Sequence, residues 1–155
     1  MEQATDFLTE SDTLAAILHD LDDQAWDRPT QFKGWTINDV LVHLHFWNRA
    51  ADQSLTDPDG FQDTMRSAIA ASAVSGMRAV ENAAVNERSS ELLAVWQGLY
   101  RDMGSRWALL DPKQRVKWVG PEMSVRSSMT ARQMETWAHG HEIFDLLGKK
   151  RQDTD

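Results

Sequence analysis

The sequence predicts an all-α protein, a four-helix bundle, from three observations. Apolar residues recur at helical spacing in four separate segments of the 155-residue chain. Turn-forming residues separate these segments, and the connections between them vary in length. The one stretch that looks extended, residues 116–121, is too short and isolated to indicate a sheet. The length suggests one domain, which we place at residues 1–148, followed by a charged C-terminal tail at residues 149–155.

The first two helices are indicated by apolar stripes that end at turn sequences. The first stripe repeats at i, i+3, i+4 and i+7, with Leu14, Ile17, Leu18 and Leu21, and a break follows at residues 26–29. The second helix is predicted to begin near Thr36, a good N-cap residue, because Asp39 three residues later completes a weaker form of the capping box. Its stripe comprises Val40, His43, Leu44, Trp47 and Ala51, and residues 57–60 have turn chemistry.

The second half of the chain predicts a middle connection and two further helices. Residues 61–84 are rich in Ala and are interpreted as an additional helical segment, broken near Gly76. A sustained apolar stripe over residues 92–110 predicts the next helix, which residues 111–112 end. The last helix is predicted from about Ser128 to Leu147, with Gly148 at the C′ position.

Composition excludes several classes of function. The formal net charge of −8 argues against binding to nucleic acid or an anionic membrane, both of which call for basic patches. The acidic N-terminal segment has no signal-peptide pattern, and no apolar run approaches a membrane span, so a cytoplasmic protein is expected. The chain contains no cysteine, so any thiol chemistry must use a thiol that a small molecule supplies.

Three residues are candidates for one metal site. Glu135 and His139 are four positions apart and share a helix face. His43 lies on the apolar stripe of another helix, and two inward polar positions in one bundle are expected to meet. Two imidazoles and one carboxylate bind a divalent metal and leave positions open for water or substrate. The alternative interpretation is a hydrogen-bonded core histidine and a solvated Glu–His pair.

Five further polar residues lie near these candidates. His45 and His141 point away from the proposed ligands and are interpreted as surface residues. Glu142, one turn after His139, is a candidate for proton transfer, with solvation as its alternative. Arg126 and Arg132 are candidates for binding a substrate carboxylate, with a surface ion pair as the alternative for each.

Two motifs resemble a known family. Residues 34–44, with Gly-Trp-Thr and a later His, and residues 131–140, followed by Leu-Leu-Gly at 146–148, resemble the DinB-like superfamily. Within it, the chain is most similar to the metal-binding N-terminal domain of mycothiol-dependent maleylpyruvate isomerase. The resemblance implies a DinB-like four-helix bundle with a divalent metal, usually zinc, bound by His43, Glu135 and His139. It also implies chemistry on a low-molecular-weight thiol of the mycothiol or bacillithiol type, whose thiolate form the metal favours.

The sequence therefore predicts a metal-dependent enzyme, a thiol S-transferase or a thiol-assisted isomerase. Its expected partners are a small-molecule thiol and an electrophile, and homodimerisation stays open. Isomerisation of maleylpyruvate itself is not expected, because the isomerase uses a further C-terminal domain to build its active site. The alternative is a non-catalytic bundle that binds small molecules or dimerises. In that case a fourth protein ligand would be expected to fill the open coordination position of the metal.

Overall fold

The computed structural model describes residues 1–151, and it is an all-α bundle. The long helices are α1 (Glu2–Leu18), α2 (Ile37–Thr56), α5 (Ser89–Trp107) and α6 (Val125–Leu147). Two further helices, α3 (Pro58–Ser75) and α4 (Met77–Ala84), occupy the middle connection, and a 3-10 turn (Ala25–Asp27) precedes α2. The predicted fold class is confirmed, while residues 152–155 of the predicted tail lie outside the described residues.

The four long helices form the bundle. Helices α1 and α2 each pack against both α5 and α6, so α1 and α2 occupy opposite corners. Helices α3 and α4 pack on the outer side of α2. The largest fully buried side chains include Trp26, Trp96, Trp107 and Tyr100, so these large aromatic rings contribute much of the apolar area that the core buries.

Local sequence signals explain the ends of the helices. The Thr36 hydroxyl accepts a hydrogen bond from the Asp39 backbone N–H, and the Asp39 carboxylate accepts one from the Thr36 N–H, which is the predicted capping box. Gly76 separates α3 from α4 with a φ of 82°, a conformation that favours glycine. Gly148 ends α6 in the left-handed conformation, as predicted.

Two sequence predictions need correction. Residues 115–124 contain a small antiparallel hairpin, in which β1 (Arg115–Val116) pairs with β2 (Met123–Ser124), although no sheet was expected. Helix α6 begins at Val125, three residues before the predicted start, because the Ser124 hydroxyl caps it by accepting the Ser127 N–H. Among residues 1–151, none of the helices has the length and apolar character needed to cross a membrane.

Candidate metal centre

Helices α2 and α6 bring His43, Glu135 and His139 together. The Glu135 Oε2 atom lies 3.3 Å from the His43 Nε2 atom and 3.3 Å from the His139 Nε2 atom. The spacing of Glu135 and His139 by four residues puts both on the face of α6 that meets α2. Both imidazoles are mostly buried, whereas 41% of the Glu135 side chain is exposed, so the cluster opens on one side.

The geometry of this cluster fits a divalent metal. One candidate ligand atom from each residue lies within 4.8 Å of the other two. In a tetrahedral zinc site with bonds of about 2.05 Å, neighbouring ligand atoms are about 3.3 Å apart, which matches the two Glu135 distances. Two imidazoles and a carboxylate are also the three-ligand set that leaves a coordination position open. His43, Glu135 and His139 are therefore the residues that would hold a metal.

Hydrogen bonds within the cluster shift the pKa values of Glu135 and His43. Hydrogen bonds from His139 and His43 hold the pKa of the Glu135 carboxyl well below its ordinary value, even though burial opposes this. Burial alone would lower the pKa of His43, but its hydrogen bonds to Glu135 and Glu81 outweigh that effect and raise it. Glu135 is thus anionic near neutral pH, as a metal ligand must be.

Glu81 belongs to the site, and the sequence analysis missed it. Its side chain is 1% exposed, and its Oε1 atom lies 3.0 Å from His43 Nδ1 and accepts a 2.7 Å hydrogen bond from Trp47 Nε1. A carboxylate at Nδ1 orients the ring and directs the Nε2 lone pair toward a metal. A signal was available, because Glu81 shares the apolar face of α4 with Met77 and Val80.

A tight loop before α2 supplies an aromatic wall. The Thr30 N–H donates to the Trp35 carbonyl and the Trp35 N–H donates to the Phe32 carbonyl, which folds the loop back on itself. The Trp35 ring stacks on the His139 ring at 5.8 Å with an interplanar angle of 6°, and the Phe32 ring meets His139 edge-on at 5.0 Å. The two rings restrict how His139 can turn.

The candidate ligands lie in a cavity of about 470 Å³. Aromatic residues and charged residues share its lining, which consists of Phe32, Lys33, Trp35, His43, Trp47, Met77, Glu81, Trp118, Val119, Ala131, Arg132, Glu135 and His139. This volume is sufficient for a small organic molecule beside a metal.

The other predicted site residues occupy different positions. Arg132 is buried and lines the cavity, whereas Arg126 is exposed near the start of α6 and does not line it. Glu142 is half-buried on α6 and is not among the cavity residues, so its role in proton transfer stays a prediction. His141 packs edge-on against the exposed Trp137, with ring centroids 4.7 Å apart, away from the candidate ligands.

The interpretation of His45 as a surface residue is wrong. His45 is 7% exposed, and its Nδ1 atom has no hydrogen-bond partner among the described residues. Burial, assisted by the charge of Arg49, lowers the pKa of His45 to about 4. The sequence places His45 on a different face from His43 correctly. Asn38 and Asp52 lie seven residues to either side of His45. They contact Ser89 and Arg106 of α5, so that face of α2 is covered by α5.

Comparison with known proteins identifies relatives of the whole chain. Residues 7–144 match the family described as the mycothiol maleylpyruvate isomerase N-terminal domain. Two uncharacterized proteins from two strains of Mycobacterium tuberculosis, Rv0036c and MT0041, are each 37% identical over 150 residues. The match covers 96% of this chain and 58% of each relative, so the chain spans little more than half their length. No solved structure matches the chain significantly.

Proposed function

The chain belongs to the family of the mycothiol maleylpyruvate isomerase N-terminal domain, and from this premise we propose that it is a metal-dependent enzyme acting with a low-molecular-weight thiol. The reaction is an S-transfer or a thiol-assisted isomerisation, and the thiol is of the mycothiol or bacillithiol type. The observation that carries this proposal is the position of His43, Glu135 and His139. Their candidate ligand atoms lie within 4.8 Å of one another, in a cavity large enough for a substrate. Zinc is the metal that the family resemblance favours, and two imidazoles with one carboxylate are one of the ligand sets that zinc enzymes use.

The chemistry that a bound divalent metal supplies here is the stabilisation of a ligated thiol as its thiolate near neutral pH. The chain's own residues provide the rest of the site. Glu81 holds the Nδ1 side of His43, and Trp35 with Phe32 holds the His139 ring. The chain has no cysteine of its own, so the reacting sulfur arrives with the small molecule.

Apolar walls favour the same chemistry. Trp47 and Trp118 lie with ring centroids 5.8 Å apart and face the cavity together with Val119. Such walls limit the water around a thiolate and an electrophile, which strengthens electrostatic interactions inside the cavity. Proton transfer by Glu142 is part of the proposal as a separate, testable assignment.

Metal analysis and a thiol assay test this proposal. Purified protein is expected to hold close to one divalent ion per chain, and His43→Ala is expected to lose most of it, because two ligands on one helix seldom hold zinc tightly. His19→Ala is the matched control, since His19 is exposed at the end of α1. Equal metal content in the wild type and His43→Ala would reject the ligand assignment.

The thiol step is tested with cobalt in place of zinc. A thiol that ligates the metal is expected to add a sulfur-to-cobalt charge-transfer band, and thiol addition to an electrophile is expected to require the metal. If mycothiol, bacillithiol, glutathione and simple thiols all leave the cobalt spectrum unchanged, the non-catalytic bundle becomes the better account.

A further inference from the structure

Arg132 is a buried cation that forms no ion pair within 4.0 Å among the described residues. Its side chain is 5% exposed, and its Nε and Nη1 atoms have no hydrogen-bond partner among residues 1–151. Most buried donors in proteins are paired, and a buried charge without a counterion is strongly unfavourable. Burial lowers the pKa of Arg132 to about 10, while the charge of Glu135 opposes this shift, so the guanidinium is still cationic at neutral pH.

The position of Arg132 makes this unpaired charge relevant to binding. The residue lines the same cavity as the three candidate metal ligands and lies on α6, one turn before Glu135. Binding of a divalent metal would engage the Glu135 carboxylate and leave still less negative charge available to Arg132. The cavity then carries a cation whose natural counterion is a group on the ligand.

An aromatic surface adjoins the guanidinium. The Arg132 Cζ atom lies 5.5 Å from the centroid of the Trp118 ring, within range of a cation–π contact. The Trp118 ring in turn stacks on Phe61, with centroids 5.9 Å apart and an interplanar angle of 16°. This arrangement holds Trp118 in a fixed plane. Together with Trp47 and Val119 it gives the cavity an aromatic and apolar wall beside a positive charge.

We propose that Arg132 is the anion-recognising residue of this cavity, and that it selects a small organic carboxylate with a flat apolar body. The inference rests on the proposed function only in placing that ligand beside the metal. Guanidinium and carboxylate groups match each other in a planar, two-point contact. A single negative charge suits the cavity better than a phosphate dianion, since the carboxylates of Glu81 and Glu135 also line it.

Binding of a sulfur-free probe tests the proposal on the zinc-loaded protein. Phenylacetate and its neutral isostere phenylacetamide share a flat ring and differ in charge, and calorimetry or tryptophan fluorescence measures their affinities. Wild type is expected to prefer phenylacetate. Arg132→Met is expected to weaken phenylacetate binding by about tenfold or more and to leave phenylacetamide unchanged, from the usual strength of hydrogen bonds to charged groups. Arg66→Met, an exposed arginine on α3, is the matched control.

Two further measurements separate recognition from a structural role. Removing an unpaired buried charge is expected to keep or raise the melting temperature of Arg132→Met, whereas a stabilising residue would lower it. Arg132→Lys keeps the charge but loses the planar fork, so it is expected to bind phenylacetate several-fold more weakly than wild type.

Several outcomes would overturn the proposal. These are equal binding of the two probes by wild type, a preference for phenylacetate that survives in Arg132→Met, wild-type affinity in Arg132→Lys, and a loss caused by Arg126→Met in place of Arg132→Met. Because neither probe contains sulfur, failure here leaves the cobalt–thiol experiment unaffected, and the reverse also holds.

Discussion

Replacement of Glu81 tests whether α4 takes part in the candidate metal centre. The Glu81 Oε1 atom contacts His43 Nδ1 at 3.0 Å and Trp47 Nε1 at 2.7 Å, and the side chain is 1% exposed. Glu81→Gln retains an oxygen that can accept both hydrogen bonds but removes the negative charge that makes the imidazole a better donor to a metal. Glu81→Ala removes the charge and both hydrogen bonds.

The size of the effect follows from these contacts. Loss of a carboxylate that orients a metal-binding histidine weakens metal affinity by about tenfold to a hundredfold, or about 1.4–2.7 kcal/mol. Glu81→Gln belongs at the lower end, because its hydrogen-bond geometry survives. Glu81→Ala belongs at the upper end, because the His43 ring loses its partner and Trp47 Nε1 loses its acceptor.

Competition with a chromophoric zinc chelator measures both affinities. Glu91→Gln is the matched control, since Glu91 is an exposed glutamate in the first turn of α5. Circular dichroism establishes that the variants keep their helices before the titration. Zinc affinities equal to wild type in both Glu81 variants would refute the inference that Glu81 positions His43.

Two further predictions concern the histidines and the acid stability of the bundle. His141→Ala and His45→Ala are expected to keep the metal that His43→Ala loses, and elemental analysis that finds metal loss in either variant would reassign the ligand. His45→Ala is also expected to lower the melting temperature, because His45 is buried. Hydrogen bonds from Thr36 and Asn82 outweigh burial and lower the pKa of Asp39 below 3.8. Its stabilisation is therefore present above pH 3.8 and is lost as pH falls through the folded-state pKa. Asp39→Asn is expected to be about 1 kcal/mol less stable than wild type at pH 7, and this difference should shrink in urea titrations at more acidic pH; a constant difference would contradict the assignment.

Local sequence signals predicted the helices and the candidate ligands on each helix. Period-3.6 stripes mark the buried faces because each helix must cover its own apolar side. The capping box at Thr36 and the left-handed Gly148 depend on residues within a few positions of each other. The pairing of Glu135 with His139 likewise follows from a spacing of four residues on one helix.

The sequence did not predict the start of α6 or the small hairpin, because both features are too short to leave a periodic pattern. The pairing of Arg115 with Ser124 joins residues whose neighbours carry no alternating pattern, and two-residue strands are too short to show one. A single capping serine then moves the helix start by three residues.

Only the tertiary structure decided which side chains surround the candidate ligands. Periodicity states that a face is apolar or polar, but the helix that covers a face is chosen by packing of the whole chain. The face of α2 that carries His45 packs on α5, and α4 carries Glu81 onto His43. The cavity wall buries Arg132 against Trp118, fourteen residues away in the chain. The sequence offered Arg132 as a candidate for binding a carboxylate, but only the packing shows that it has no ion-pair partner among residues 1–151 beside the candidate metal centre. Contacts of this kind join residues distant in sequence, and no local pattern encodes them.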